Sequence, residues 1–319
     1  MLQRRGLAAL SLATGLASRR VEAQGPDGPT TIVVPFTPGT GVDILARLIA
    51  PFLQNRFAQP FIVENRPGAS GNIGTQAVAR AAPDGRTLLL QANTFVMNAS
   101  LFKQVPYDPV GSFAPIVRLT RGDLVLAVHP GTPAADAKAF VDLARSRSLD
   151  YASPGNGTPQ HLGMELFRLV AGISLNHIPY RGSAPAIQDL IGGRVAAMVL
   201  PVHTAIPLAG AGHIRMLSVG SPQRSAAVPD VPTMAEAGFP GAEVDLWYGL
   251  LGPAGLPDAT REALRTALEE WLRLPATKEQ LGAQGMVTVG GSAEDFAKVI
   301  ASDKDRWASV IRRAGLSSD

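Results

Sequence analysis

Short β-branched runs alternate with amphipathic helical runs along this chain, joined by turns rich in glycine and proline. That alternation confines it to an α/β architecture with largely parallel sheets. Thr31-Ile32-Val33-Val34-Pro35 reads as the first strand. After the turn Thr37-Pro38-Gly39-Thr40-Gly41, the residues Ile44, Leu45, Leu48, Ile49, Phe52 and Leu53 share one helical face. Pro51 lies inside that helix and is expected to bend its last turn or end it early, because it removes a backbone donor. Phe61-Ile62-Val63, the loop from Glu64 to Gly71 and a helix through Ile73, Ala77 and Val78 repeat the unit, and Thr87-Leu88-Leu89-Leu90 makes a third strand. A second alternating set lies between two apolar strand-like runs, Leu124 to Val128 and Val244 to Leu251. It holds helices near 134–145, 160–170 and 184–191 and strands at 176–180, 195–200 and 214–219. Crossings near 125 and 245 divide the chain into a first lobe, 24–124 plus 246–319, and a second lobe, 125–245, with a mainly helical part from Pro257 onward. Two lobes joined by two crossings leave a cleft, and ligands favour domain interfaces and the carboxyl ends of parallel strands.

The charge of the chain is concentrated at its start. The net charge of +3 comes from 29 Lys and Arg against 26 Asp and Glu, and the pI of 9.4 suggests a nucleic-acid partner. The first 23 residues account for all of it, with Arg4, Arg5, Arg19 and Arg20 against Glu22, which leaves 25 positive and 25 negative groups in the remainder. A neutral body offers no overall field for phosphate backbones, so no nucleic acid is expected as a partner. Arg4 and Arg5 precede an apolar run from Gly6 to Ala17, and Val21-Glu22-Ala23 offers a small-residue cleavage pattern, so residues 1–23 read as an export signal. The run is too short to span a bilayer, which needs about 20 apolar residues. The absence of cysteine removes disulfides, thiolate catalysis and Cys-type zinc sites. An exported chain of this size can bury enough apolar surface without disulfides, which fits the periplasm.

Pro38-Gly39-Thr40-Gly41 sits between a strand and a helix, where unpaired N–H groups and the helix dipole favour an anion. No GxxxxGK(S/T) is present and the third glycine of a GxGxxG falls at Ile44, so a carboxylate suits this loop better than a phosphate. A turn whose glycines only permit positive φ is the competing reading. Asp43 reads first as a partner of the helix start, with direct ligand contact as the alternative. Asn156-Gly157-Thr158-Pro159-Gln160-His161 opens another helix, with Thr158 at the N-cap and Pro159 in the first turn. It makes a second anion cradle facing the first. Thr158 reads equally as a cap and as a ligand contact, and His161 as a structural partner or a ligand donor. Arg181 reads as a surface ion-pair partner or a neighbour of the cleft, and Trp247 and Tyr248 as cleft wall or hinge packing. The five histidines lack zinc-protease spacing and no GxSxG elbow occurs, so neither metal, cofactor nor catalytic residue is expected.

Several ordered segments carry a family resemblance: Val34-Pro35-Phe36-Thr37-Pro38-Gly39 through Asp43-Ile44-Leu45-Ala46-Arg47, Val63-Glu64-Asn65-Arg66-Pro67-Gly68-Ala69-Ser70-Gly71-Asn72-Ile73-Gly74, and Pro106-Tyr107-Asp108-Pro109. Tyr151-Ala152-Ser153-Pro154-Gly155-Asn156-Gly157-Thr158, His177-Ile178-Pro179-Tyr180-Arg181-Gly182-Ser183 and Val228-Pro229-Asp230-Val231-Pro232-Thr233 continue it. Together they resemble the substrate-binding proteins of tripartite tricarboxylate transporters, including the Bug proteins. The resemblance implies a type II periplasmic-binding-protein-like fold, each lobe a mostly parallel sheet flanked by helices. It also implies a monomeric periplasmic solute-binding protein that captures a small organic carboxylate and delivers it to membrane permease subunits. A ligand-sensing co-receptor for a two-component sensor kinase is the alternative, and an enzyme on the same fold is less favoured. By the same resemblance, Phe36, Gly39, Thr40, Gly41 and Asp43 grip the ligand from one side and Ser153, Asn156, Gly157, Thr158 and His161 from the other, with Asn93, Thr94, Asn98 and Pro201 lining the rest. Two departures stand out. Thr40 replaces a frequent second glycine, and Val199-Leu200-Pro201 replaces a segment that often carries an aspartate. The second departure leaves an ammonium group without a partner, so a non-amino carboxylate with an apolar or aromatic portion is expected.

Overall fold

The strand-turn-helix units at the start of the chain appear in a computed structural model that describes residues 28–244 and 246–317. The expected export signal at 1–23 lies outside the described residues. β1 (Thr30–Val34) leads to α1 (Gly41–Phe57), β2 (Phe61–Asn65) passes through a single 3-10 turn (Ala69–Gly71) to α2 (Asn72–Ala79), and β3 (Thr87–Ala92) leads to α3 (Thr94–Leu101). β4 (Phe113–Gly122) and β5 (Leu124–Val128) follow one another with only Asp123 between them. Next come α4 (Ala137–Ser146), β6 (Asp150–Ser153), α5 (Pro159–Ala171), β7 (Asn176–Pro179), α6 (Ser183–Ile191), β8 (Ala197–Pro201), α7 (Val202–Gly210) and β9 (Arg215–Val219). β10 (Leu246–Pro253), α8 (Asp258–Arg273), α9 (Pro275–Gly282), β11 (Met286–Thr288) and α10 (Ala293–Ala314) complete the chain. Helix α1 does not stop at Pro51 but continues to Phe57. Pro51 is exposed, so the carbonyl its ring leaves unpaired faces water, which lets the helix run past it. Among the described residues, no helix is long and apolar enough to cross a membrane.

Two sheets form, in the orders β11-β4-β10-β3-β1-β2 and β7-β6-β8-β5-β9. Each is mixed rather than mostly parallel. β2, β1 and β3 run parallel, as do β7, β6 and β8. The strands beside the crossings, β10 and β4 in one sheet and β5 and β9 in the other, pair antiparallel. The register explains where the crossings fall. Leu246 pairs with Gly122 and Tyr248 with Ala92, while Leu124 pairs with Pro201. The chain therefore leaves each sheet at the edge where its parallel strands end. Both sheets present their carboxyl-terminal loops toward the crossings, and hence toward each other.

Strand alternation sorts the apolar residues by face. Ile32, Val34, Leu88 and Leu90 pack into a core that continues into the second lobe through Leu124, Leu126, Val128, Leu162, Met164 and Phe167, and includes Trp307, Val310 and Ile311 of α10. Val33, Leu89, Phe95, Trp247, Leu251 and Phe296 fill the opposite face of the first sheet. Val125, Ala127, Met198 and Leu200 do so for the second sheet. On β10 the backbone at Gly249 passes so close to Phe296 that a Cβ there would collide with the ring. Gly249→Ala is therefore expected to destabilise the protein by about 1–3 kcal/mol through overpacking. Urea denaturation checks this, and an unchanged midpoint would show that α10 can move aside freely.

Candidate functional site

A cavity of about 880 Å³ lies between the two sets of loops. Its first wall is the turn after β1. Asp43, in the first turn of α1, turns its carboxylate back under that turn. One oxygen accepts from Gly39 N–H at 2.9 Å and the other from Asn65 Nδ2 at 2.9 Å, while Arg47 Nε reaches both at 3.0–3.1 Å. Asn65 also donates to Phe36 O at 2.9 Å, tying the loops after β1 and β2 together. Burial opposes ionisation of Asp43, but hydrogen bonds from Arg47, Gly39 and Asn65 outweigh it and hold the carboxyl below its ordinary range. Thr40 occupies the N-cap position of α1 without capping it; its hydroxyl donates instead to Thr37 O at 3.1 Å. The first amides of α1 thus have no side-chain cap from Thr40, and Thr40, Gly41 and Val42 line the cavity. Gly41 is required here, because a Cβ would meet the Tyr248 hydroxyl.

The facing wall is the loop after β6. Thr158 Oγ1 accepts from His161 N–H at 3.3 Å and donates to Gly155 O at 2.9 Å, so it caps α5 while remaining on the cavity wall. The loop after β2 reaches across: Ser70 Oγ donates to Asn156 O at 2.7 Å, and Asn98 Nδ2 holds Ser70 O at 2.9 Å. Ala69 and Ser70 both have positive φ, 46° and 54°. Such left-handed, non-glycine backbone is strained and persists only where its surroundings hold it in place. Gly157 packs against Asn98 and Leu101 so closely that a Cβ would collide with both.

Behind the second wall lies a buried polar stack. The His161 ring stacks on His177 with centroids 4.0 Å apart, and His177 stacks on Tyr151 at 4.8 Å. Tyr151 OH donates to Glu165 at 2.6 Å, and Glu165 pairs with Arg168 at 2.8 Å. His161 Nδ1 accepts from Gly157 N–H at 3.2 Å, which fixes the loop from below. Ser153 Oγ lies 2.6 Å from His177 Nε2. A serine–histidine contact of this length invites a nucleophile reading, but Ser153 is fully buried, 0% exposed, and accepts from Gly155 N–H. It is a structural contact.

Of the residues expected at the site, Phe36, Gly39, Thr40, Gly41, Thr94, Asn156, Thr158 and Pro201 line the cavity. Asp43, Asn93, Asn98, Ser153, Gly157 and His161 do not. Asp43 holds the first loop, Asn98 and Gly157 make the contact between walls, and Ser153 and His161 belong to the stack behind. Asn93 is buried at the start of α3. Tyr248 does wall the cleft, whereas Trp247 faces away and donates to Asp303 at 2.6 Å. Two loops were missed as cavity walls: Pro67–Gly71 after β2, and the segment from Pro179 through Ala184 after β7. Both follow parallel strands beside β1 and β6, and that position is the signal that could have identified them. Arg181, read first as a surface ion-pair partner, is exposed and lines the cavity without an ion pair among the described residues. His203 also lines it, held below its ordinary pKa by burial although its ring donates a hydrogen bond to the Gln284 backbone, which favours the protonated form.

Comparison with known proteins places this geometry. Residues 45–316 match the model of the tripartite tricarboxylate transporter family receptor. The chain is 35% identical to protein BugT of Bordetella pertussis, over 91% of this chain and 90% of that one. A Rhodopseudomonas palustris protein solved with adipate superposes with a TM-score of 0.86 at 33% identity, covering 92% of this chain and 99% of that one. MatC from Rhodopseudomonas palustris, solved with bound malate, superposes with a TM-score of 0.83 at 29% identity, over 90% and 99% of the two chains.

The histidine stack has a direct consequence for acid stability. Burial pushes His161 down to about 3, with the neighbouring His177 adding to the shift, and pushes His177 down to about 4 against the attraction of Glu165. The native state keeps both rings neutral, while the unfolded chain takes up protons below about pH 6.5. Their contribution is complete above that pH and is lost as pH falls toward about 4 and then 3. The urea midpoint is expected to be flat near neutral pH and to fall steadily in this window. His177→Gln, whose amide can still hydrogen-bond Ser153 in either direction, should remove about one proton from the uptake on unfolding. An unchanged slope in that variant would show that the ring is not neutral in the native state.

Proposed function

We propose, from the premise that the chain belongs to the tripartite tricarboxylate transporter receptor family, that it is a periplasmic solute-binding protein that closes its two lobes over a small carboxylate. The observation that carries this reading is the chemistry of the cavity wall. The uncapped start of α1, at Gly41 and Val42, and the start of α5, at Thr158, Pro159 and Gln160, line the same cavity, and no Asp or Glu lies among the described residues that line the space. Backbone N–H groups and helix N-termini stabilise a carboxylate without a counter-charge. An ammonium group finds no carboxylate there, and Pro201 stands at the end of β8. Phe36, Phe102, Ile187, Leu246 and Tyr248 supply an apolar wall for the rest of the ligand. This favours a non-amino carboxylate with an apolar portion. The adipate- and malate-bound relatives support the carboxylate class.

Binding works without chemistry. The lobes, residues 24–124 plus 246–319 and residues 125–245, turn about the crossings, and ligand held by both walls favours the closed arrangement. Membrane permease subunits then read that closed form and receive the solute. The N-terminal residues 1–23 direct export.

A calorimetric or thermal-shift screen of simple carboxylates against amino acids tests this. Carboxylates are expected to raise the melting temperature and amino acids are not. Binding of amino acids with no binding of simple carboxylates would overturn the reading. Thr158→Leu, which fills the mouth of the second wall, is expected to weaken carboxylate binding by about tenfold or more, the equivalent of about 1.4 kcal/mol. Unchanged affinity would move the ligand away from α5.

A further inference from the structure

We infer that the Tyr248 hydroxyl is a ligand-binding donor, which completes the anion site at the start of α1 and contacts the carboxylate held there. This rests on the carboxylate reading above and gives a polar role to a side chain that reading counts only as apolar wall. Three observations carry it. First, Tyr248 lines the cavity with only 4% of its surface exposed, and its hydroxyl makes no hydrogen bond with any described residue. The other three of the chain's four tyrosines all donate: Tyr107 to Asn72 at 2.7 Å, Tyr151 to Glu165 at 2.6 Å, and Tyr180 to Asp189. A buried hydroxyl without a partner is unfavourable unless something else accepts from it. Burial alone pushes the Tyr248 phenol above its ordinary pKa, so it keeps its proton through and beyond neutral pH.

Second, that hydroxyl lies against the start of α1. A Cβ on Gly41 would collide with it, and Gly41 itself lines the cavity. Glycine at the first position of the helix lets the phenol reach the helix end. The first bond of the helix ladder runs from Ile44 N–H to Thr40 O at 2.9 Å, and Thr40 supplies no side-chain cap. The amides of Gly41, Val42 and Asp43 therefore precede the ladder. Hydroxyl and helix start offer donors at one place, in a wall without Asp or Glu, and such donors suit the oxygens of a carboxylate. Third, the ring is held in place. Tyr248 pairs with Ala92 of β3 and Thr120 of β4, inside the first sheet, and its ring edge packs over Gly122. The same sheet contains β1, which leads into α1. A donor fixed in this way loses little freedom when ligand arrives.

The test compares wild type and Tyr248→Phe by calorimetry with adipate, malate, hexanoate and benzoate, alongside the melting temperatures of both proteins without ligand. Every probe that binds wild type should bind Y248F about tenfold more weakly or worse, the loss of one hydrogen bond to a charged acceptor. The ligand-free melting temperature should stay the same or rise, because Phe keeps the ring and removes an unpartnered polar atom. A hydroxyl that only supported the fold would lower it instead. Unchanged affinity in Y248F would overturn the proposal and leave the carboxylate reading standing. A fall in melting temperature together with affinity would do the same, since it assigns the hydroxyl to the fold. Wild type that binds none of the four probes would remove the carboxylate reading and the proposal with it.

Discussion

The architecture depends on where the chain crosses between its sheets. Gly122 and Leu124 sit in different sheets with one residue between them, and Leu246 rejoins the first sheet opposite Gly122. Both crossings therefore lie side by side at one edge. Because β10 enters antiparallel to β3, and β5 antiparallel to β8, that edge coincides with the carboxyl ends of the parallel strands in both sheets. A crossing at the opposite edge would have turned the turn-and-helix loops away from each other. Pairing direction at two strands thus decides that the loops after β1, β2, β6 and β7 share one cavity.

Within that cavity the charges are arranged by sequestration. Asp43 stands one turn from the cavity wall, yet its oxygens accept from Gly39, Asn65 and Arg47. Glu165 is turned onto Tyr151 and Arg168, and Asp189 onto Tyr180 and Arg194. Each of these three acids serves as an internal acceptor that stiffens a loop or helix. Stiffness and polarity are linked here: the hydrogen bonds that hold the loops in place also remove negative charge from the wall. What remains facing the space is backbone N–H, hydroxyl and amide groups, the His203 imidazole, apolar surface and one guanidinium, with no carboxylate among the described lining residues.

Much of this was legible in the sequence because it is local. The run Leu124 to Val128 is a strand with those bounds, and the helices expected near 160–170 and 184–191 begin and end within a residue or two of α5 and α6. Thr158 and Pro159 announce the start of α5 by their capping chemistry, which needs only neighbouring residues. β4 was not legible. Pro115 argues against a strand, but the structure places Pro115 at a register shift opposite Leu251, where the missing donor is tolerated. The parallel character of the sheets was overstated for a related reason, since pairing direction at β10 and β5 is a long-range property. At the site, Asp43 and His161 have the residue types expected of ligand contacts. Their side chains are committed to partners distant in sequence or behind the wall, such as Asn65 and His177. Conversely, Arg181 reached the cavity because the ends of β6 and β7 pair in register, which the sequence around it does not display.

The contact between walls shows how opening is constrained. One apolar core runs through both lobes, from Leu162, Met164 and Phe167 on α5 to Trp307, Val310 and Ile311 on α10, so the lobes cannot separate there without exposing buried side chains to water. On the loop side the walls meet through the Ser70 to Asn156 hydrogen bond and the packing of Gly157 on Asn98 and Leu101. A single hydrogen bond contributes only about 0.5–1.5 kcal/mol net, and the strained backbone at Ala69 and Ser70 opposes it. Opening therefore costs little at the mouth and much at the back. That asymmetry suits the proposed closure of the lobes, because the loop-side contacts to be broken on opening are within reach of the binding energy of a small anion.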